Sequence, residues 1–119
     1  CLKRSIDEQD IKNIFHARLS AEEVSKLFAG RVFKRMNEIN ISDFNFSHVL
    51  VDPPRAGLDK DVTQLISTFK NIIYISCNYE TYARDVRNLE SFTIKNIEIF
   101  DQFPNTNHLE IVSLLSKVK

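Results

Sequence analysis

The sequence contains few of the residues that mark several common classes of protein. Only two cysteines, Cys1 and Cys77, occur in 119 residues, too few for a disulfide framework or a cysteine-based metal cluster. Only two glycines occur, Gly30 and Gly57, so a glycine-rich nucleotide-binding loop is absent from this chain. No apolar run approaches the length of a membrane span. These absences predict a protein without a metal or a membrane segment, in the reducing cytoplasm.

Net charge and length narrow the possibilities further. Sixteen basic and sixteen acidic side chains balance, so the chain as a whole has no electrostatic preference for nucleic acid. Three basic residues at helical spacing, Arg31, Lys34 and Arg35, are interpreted as a solvated helix face rather than as a nucleic-acid site. The length predicts one domain, and the oligomeric state stays open. The segment that begins at Cys1 reads like the middle of a helix, which predicts a fragment of a longer protein.

Hydrophobic spacing predicts alternating strands and helices. A capping-box pattern, Ser20 with Glu23, predicts where one helix begins, and Gly30 is expected to interrupt that helix. The order of elements predicts an α/β layer structure with a mainly parallel sheet and a closing antiparallel hairpin. Strands are predicted over 13–19, 48–51, 92–100 and 109–118 and in the apolar run 72–78, and helices over 1–10, 20–28, 31–38, 59–69 and 79–89.

Three chemically versatile side chains converge in this topology. Asp52 and Cys77 end consecutive parallel strands, so they lie at the carboxyl edge of the sheet, where open α/β sheets bind ligands. Glu110 begins the antiparallel last strand and therefore reaches the same edge. Taken singly, Asp52 could cap a turn, Cys77 could be a small buried hydrophobe, and Glu110 could be a solvated strand end. The convergence favours a site made of two carboxylates and a thiol.

Cys77 has the position in which a thiol becomes reactive. It follows an apolar run and precedes a predicted helix, so unpaired backbone N–H groups near it would favour the thiolate. The three histidines, His16, His48 and His108, are interpreted as turn or hydrogen-bonding residues rather than as catalysts.

Three motifs in this order resemble one known family. They are Val51-Asp-Pro-Pro-Arg-Ala-Gly-Leu-Asp59, Tyr74-Ile-Ser-Cys-Asn-Tyr-Glu-Thr81 and Phe100-Asp-Gln-Phe-Pro-Asn-Thr-Asn-His-Leu-Glu110. Together they resemble the S-adenosylmethionine-dependent RNA 5-methyluridine methyltransferases, and among these most the tRNA (uracil-5-)-methyltransferases that make ribothymidine in the T loop. The resemblance spans nearly the whole chain.

The resemblance implies a role for each converging residue. Cys77 matches the nucleophile, Glu110 the general base, and Asp52 the carboxylate that contacts the methyl donor; Arg55 matches an arginine that organises the site. Glu22 lies where related methyltransferases approach the adenine of S-adenosylmethionine, although helix capping is an alternative role. The implied fold is the carboxyl-terminal half of a Rossmann-like methyltransferase domain, so 1–119 would be a partial catalytic domain that meets its tRNA substrate mainly through regions outside this chain.

Departures and rival interpretations remain beside this one. Tyr79 stands where the family usually has proline, which could loosen the first turn of the following helix. The family's glycine-containing donor loop has no counterpart here, so the isolated chain is expected to bind S-adenosylmethionine weakly and to turn over no RNA. Ribosomal RNA is the alternative substrate, and a non-catalytic RNA-binding module is the alternative class. A base-amino methyltransferase is disfavoured because Arg55, not an aromatic residue, follows Pro54.

Overall fold

The computed structural model describes residues 2–36 and 39–118 and divides the chain into two compact units. The amino-terminal unit is Cys1–Asn45, and the carboxyl-terminal unit is Phe46–Lys119. Among the described residues, no helix is both long enough and apolar enough to cross a bilayer.

The amino-terminal unit consists of short helical segments and irregular chain. The predicted capping box is confirmed: the Ser20 hydroxyl accepts the backbone N–H of Glu23 at 3.2 Å, and the Glu23 carboxylate accepts the backbone N–H of Ser20 at 2.8 Å. This reciprocal pairing fixes the start of the second helix. The helical segments are α1 (Leu2–Glu8), α2 (Ala21–Phe28) and two 3₁₀ turns, Lys34–Met36 and Ile41–Asp43.

The strand predicted over 13–19 does not form. Residues 14–20 have no regular secondary structure, and Ile14 and Phe15 are 46% and 55% exposed. A strand is stabilised by the ladder of a neighbouring strand, and the described part of this unit contains no strand that could pair with it. The alternation of apolar residues over 13–19 is typical of a strand, but no strand forms because the described part of this unit has no second strand to pair with it.

The helix predicted over 31–38 is also wrong in its extent. Gly30 ends α2 with a φ of +98°, a left-handed conformation that glycine adopts without steric cost. Helical structure then resumes only as the 3₁₀ turn Lys34–Met36. The last two positions of the prediction, 37 and 38, lie outside the described residues.

The carboxyl-terminal unit contains all the strands and helices predicted for it. Proline ends the first strand, because neither Pro53 nor Pro54 has an N–H to donate to a ladder. Asp59 and Asn78 cap the two helices through their side-chain oxygens. In chain order the elements are β1 (His48–Val51), α3 (Lys60–Ile66), β2 (Asn71–Ser76), α4 (Tyr79–Asn88), β3 (Phe92–Phe100) and β4 (Glu110–Lys117).

The strands form one sheet in the order β1-β2-β4-β3. The α/β class is confirmed, and β1, β2 and β3 all run in the same direction, as predicted. The pairing differs from the mainly parallel sheet that was predicted, because β4 lies between β2 and β3. One pair, β1 with β2, is therefore parallel, and the two pairs that involve β4 are antiparallel.

The core lies on one face of this sheet. Strands β2 and β4 bury every second residue, as alternation across a pleated strand requires. Ile111 belongs to the buried set, so Glu110, the residue before it in β4, lies on the opposite side; Cys77 follows the last residue of β2. The core cluster is formed by Ile66, Ile72, Tyr74, Tyr82, Leu89, Ile111 and Leu115.

Candidate active site

Cys77 lies in a two-residue turn between β2 and α4. Its thiol is free and half-buried. The turn is held on both sides of the cysteine: the Asn78 N–H donates to the Ser76 hydroxyl at 3.1 Å, and that hydroxyl donates to the Asn78 carbonyl at 2.9 Å. The backbone on either side of Cys77 is thus fixed by neighbouring residues, and the thiol takes no part in fixing it.

The helix terminus beside Cys77 differs from the sequence expectation in one respect. The backbone N–H groups of Glu80 and Thr81 are not free, because both donate to the Asn78 side-chain oxygen, at 3.0 and 3.4 Å. The N–H of Asn78 itself is bonded to Ser76. These donors stabilise the turn, so they are not available to the thiolate in the way that the sequence suggested.

Strand pairing brings Glu110 and Cys77 to the same end of the β2–β4 ladder. The last pair of this ladder is Ser76 with Ile111, so Cys77 directly follows one member of that pair and Glu110 directly precedes the other. Glu110 is half-buried, and no described residue hydrogen-bonds to its carboxylate. A free thiol and a carboxylate without a described protein partner therefore both adjoin the last pair of the ladder.

Asp52 and Arg55 lie in the loop that follows β1. Val51 pairs with Tyr74 in the parallel ladder, so Asp52 stands at the same edge of the sheet as the turn of Cys77. Both side chains are exposed, and within the part of the chain that the structure describes neither makes a hydrogen bond or an ion pair. They are available to a ligand, unlike the backbone that carries them.

That backbone is attached to the beginning of α4. The carbonyl oxygen of Arg55 accepts two hydrogen bonds, from the Asn78 side-chain amide at 3.3 Å and from the Thr81 hydroxyl at 3.0 Å. Asn78 directly follows Cys77. The loop with the two available charged side chains and the turn with the thiol are consequently fastened to each other.

Sequence reasoning missed Asp85, which is 1% exposed within α4. Its carboxylate accepts the Tyr74 hydroxyl at 2.6 Å and the backbone N–H of Leu58 at 2.8 Å, and it pairs with Arg84 at 2.7 Å. A signal was present in the sequence, because Asp85 occupies the apolar stripe of the helix between Tyr82 and Leu89. A charged residue at such a position needs partners, and these partners connect α4 to the loop after β1.

Glu22 belongs to the amino-terminal unit and lies exposed on α2. Lys26, one turn further along the helix, hydrogen-bonds to Glu22. That hydrogen bond and the charge of Lys26 lower the pKa of the Glu22 carboxyl. The capping role belongs to Glu23 instead, so Glu22 stays at the surface as an anion.

Within residues 2–36 and 39–118, no group of three His, Cys, Asp or Glu side chains is arranged to hold a metal ion. The carboxyl-terminal unit presents a free thiol and carboxylates at one edge of its sheet, and a thiol and a carboxylate are groups that nucleophilic catalysis uses.

Comparison with known proteins identifies the family. The family model described as tRNA (Uracil-5-)-methyltransferase matches residues 2–118. A Campylobacter concisus protein named tRNA/tmRNA (uracil-C(5))-methyltransferase is 51% identical over 107 residues, which are 88% of this chain and 29% of the relative. A protein of the same name from Saccharophagus degradans is 47% identical over 115 residues, 95% of this chain and 32% of the relative. The chain thus spans about a third of the length of these relatives.

A solved structure agrees with this assignment. The crystal structure of Pyrococcus abyssi tRNA (uracil-54, C5)-methyltransferase in complex with S-adenosyl-L-homocysteine superposes with a TM-score of 0.69 at 31% sequence identity. The similarity covers 96% of this chain and 24% of that one. By its sequence and by its fold, this chain belongs to the tRNA (uracil-5-)-methyltransferase family.

Proposed function

We propose that the full-length protein transfers a methyl group from S-adenosylmethionine to C5 of a uridine in the T loop of tRNA, with Cys77 as nucleophile and Glu110 as general base. The observation that supports the proposal is the last pair of the β2–β4 ladder, Ser76 with Ile111, because a free thiol follows one of these residues and a carboxylate without a described partner precedes the other. The family match and the names of the relatives support the reaction class and the tRNA substrate.

The chemistry explains why a thiol and a carboxylate must be neighbours. Uracil C5 is a weak nucleophile until a thiolate adds to C6, which moves the electron pair of the C5–C6 double bond onto C5 and the O4 carbonyl as an enolate. Once C5 is methylated, a base removes the C5 proton, the double bond re-forms, and the C6–S bond breaks. Cys77 supplies the thiolate and leaves unchanged, and Glu110 takes the C5 proton.

The exposed residues fit the methyl donor. S-adenosylmethionine, when bound, supplies an electrophilic methyl group on its sulfonium sulfur. Asp52 presents a carboxylate, without a described protein partner, that can accept hydrogen bonds from polar groups of the donor, and Arg55 presents a guanidinium at the same loop. Glu22 is a second, weaker candidate for the donor, because Lys26 already occupies one of its oxygens. The target base must leave its stack to reach these groups.

Covalent trapping on RNA tests the nucleophile. RNA that carries 5-fluorouridine has no C5 proton to remove, so the adduct with a cysteine persists and shifts the protein on a denaturing gel. In the full-length protein, Cys77→Ala should abolish that shift and all turnover. Cys1→Ala, which removes the other cysteine of the chain, is the matched control and should keep both. A normal shift with Cys77→Ala would refute the assignment.

The base is tested on unmodified RNA. Glu110→Gln removes the proton acceptor, so turnover should fall by about 10²–10⁴-fold while a methylated covalent complex accumulates. Glu98→Gln on the exposed strand β3 is the matched control and should leave turnover unchanged. Normal turnover with Glu110→Gln would assign the proton transfer to another group. Running tRNA and ribosomal RNA substrates in parallel separates the two possible targets.

A further inference from the structure

A buried carboxylate outside the proposed chemistry connects two parts of the site. Asp85 is 1% exposed, and its two oxygens have different partners. Oδ2 accepts the Tyr74 hydroxyl from the sheet and the Leu58 N–H from the loop, at 2.6 and 2.8 Å. Oδ1 accepts the Arg84 guanidinium at 2.7 and 2.9 Å. The carboxylate therefore bonds at once to the core of the sheet, to its own helix and to the loop after β1.

Tyr74 is a permanent donor in this network. Burial raises the pKa of its hydroxyl, and the hydrogen bond to Asp85 raises it further. The hydroxyl thus keeps its proton over the pH range in which enzymes work, and from the sheet it donates a hydrogen bond to the Asp85 carboxylate.

The loop side of the network consists of backbone atoms only. Arg84 donates to the carbonyl oxygens of Ala56 at 2.9 Å and of Leu58 at 3.4 Å. With the two bonds to the Arg55 carbonyl and the bond from the Leu58 N–H to Asp85, five hydrogen bonds join α4 and its cap to residues 55–58. Because the bonds end on backbone atoms, they fix the path of the loop and leave the Asp52 and Arg55 side chains free.

Gly57 allows this close approach. A Cβ at this position would lie 2.5 Å from the Arg84 guanidinium and 2.5 Å from the Asp85 carboxylate, and the backbone has a φ of +79°. Both the space and the conformation require glycine. The loop and the network around Asp85 are therefore shaped to each other.

Stability alone does not account for a buried carboxylate at this position. Burying a charged group costs free energy that its partners must offset, so Asp85 is better explained by what it positions. We propose that Asp85, assisted by Arg84, is a positioning residue that holds the loop of Asp52 and Arg55 at a fixed distance from Cys77. This inference rests on the proposed function of Cys77, and it adds a residue that touches neither RNA nor methyl donor.

The test uses the full-length protein and two variants that release the loop. Asp85→Asn places an amide N–H against either Arg84 or the Leu58 N–H, and it should lower kcat by up to about 10²-fold, the effect of misplacing reacting groups by about 1 Å. It should also raise the KM for S-adenosylmethionine and leave the KM for tRNA unchanged. Arg84→Met, which keeps the hydrogen bonds of Tyr74 and Leu58 to Asp85, should produce a smaller shift in the same direction.

Two control variants separate positioning from loss of stability. Leu89→Ala opens a cavity in the core and removes no hydrogen bond of the Asp85 network, so it should lower the Tm while the KM for S-adenosylmethionine stays constant. Arg87→Met removes the same charge one turn further along α4, where among the described residues no bond to the loop is made, and it should behave like the wild type. If Asp85→Asn behaves like Leu89→Ala, with a lower Tm and an unchanged KM for S-adenosylmethionine, Asp85 is merely structural and the proposal is overturned.

Amide hydrogen exchange tests the hydrogen bond between the Leu58 N–H and Asp85 without any activity measurement. Exchange at the Leu58 N–H should accelerate about tenfold or more in Asp85→Asn, the factor that corresponds to one buried hydrogen bond, while amides of β2 stay protected. Unchanged exchange at Leu58 overturns the proposal. If the wild-type protein transfers no methyl group, the proposed function fails, and the Leu58 exchange still shows whether Asp85 holds the loop.

Discussion

Asn78 has two tasks at the turn of Cys77, and they require an amide. Its side-chain oxygen accepts the N–H groups of Glu80 and Thr81, which caps α4, and its side-chain nitrogen donates to the carbonyl of Arg55. Aspartate or serine could cap the helix equally well, but neither carries an N–H to hold the loop. Asparagine at position 78 is thus required both by the helix that follows it and by the loop of Arg55.

Tyr79 should be replaceable by proline. It is the first residue of α4, it is 64% exposed, and Asn78 before it has the extended conformation that a following proline requires (φ −139°, ψ 111°). Tyr79→Pro is expected to raise the free energy of unfolding by about 0.4–1 kcal/mol, because it restricts the unfolded chain. Thermal unfolding of the full-length protein measures the change.

The matched control for that substitution is one residue away. Glu80→Pro removes an N–H that donates to the Asn78 side chain, so it should lower the Tm. If Tyr79→Pro lowers the Tm by as much, the backbone at Tyr79 is not ready for proline and the interpretation of the turn is wrong.

The sequence predicted the positions of some site residues and missed others. Cys77, Asp52 and Glu110 stand at strand ends, and strand ends follow from hydrophobic patterning and topology, so their positions were predictable. Their chemical roles came from the motif resemblance and stay predictions. Asp85 was missed because an acidic residue in a helix usually faces water, and its three partners are 1, 11 and 27 residues away in the chain.

At the scale of elements, the position of β4 decides whether the site forms. If β4 simply folded back outside β3, a full strand would separate Glu110 from Cys77, at a spacing of about 4.8 Å per strand. Insertion of β4 between β2 and β3 brings Glu110 to the end of the strand that Cys77 follows. The sequence predicted the direction of β4 but not its place, since alternation reports which residues are buried and not which strand lies alongside.

The central position of β4 predicts unequal effects of two substitutions on one pair. Leu115 is 0% exposed and lies opposite Ile94, which is 43% exposed on the outer strand. Leu115→Ala should lower the free energy of unfolding by about 2–5 kcal/mol, the usual cost of a cavity in a packed core. Ile94→Ala should cost clearly less, because water already reaches that side chain.

Urea unfolding of the full-length protein, followed by far-ultraviolet circular dichroism, compares the two variants. Equal losses of unfolding free energy would contradict the assignment of β4 as an inner strand and of β3 as an exposed outer strand. The failed strand over 13–19 belongs to the same scale, because its apolar pattern lacked a neighbour in the described part of its own unit.

At the scale of the whole molecule, both glycines already have local structural tasks. Gly30 ends α2 in a left-handed conformation, and Gly57 gives the loop after β1 its close approach to Asp85. Neither precedes the first turn of a helix in the way that a glycine-rich cofactor loop does. The relatives are about three times as long as this chain, so their remaining two thirds are where such a loop would be found.

Because these 119 residues contain no glycine-rich cofactor loop, we predict that the isolated chain binds S-adenosylmethionine much more weakly than the full-length protein. Asp52 and Glu22, the residues proposed for S-adenosylmethionine, are exposed, and exposed carboxylates cannot bury a ligand of that size. Calorimetry should therefore detect binding to the full-length protein and little or none to the isolated chain, and tritium transfer from labelled donor to tRNA should follow the same order. Circular dichroism of the isolated chain shows whether it is folded in that comparison. Methyl transfer by the 119 residues alone would contradict the prediction, because it would require the complete donor site to lie within them.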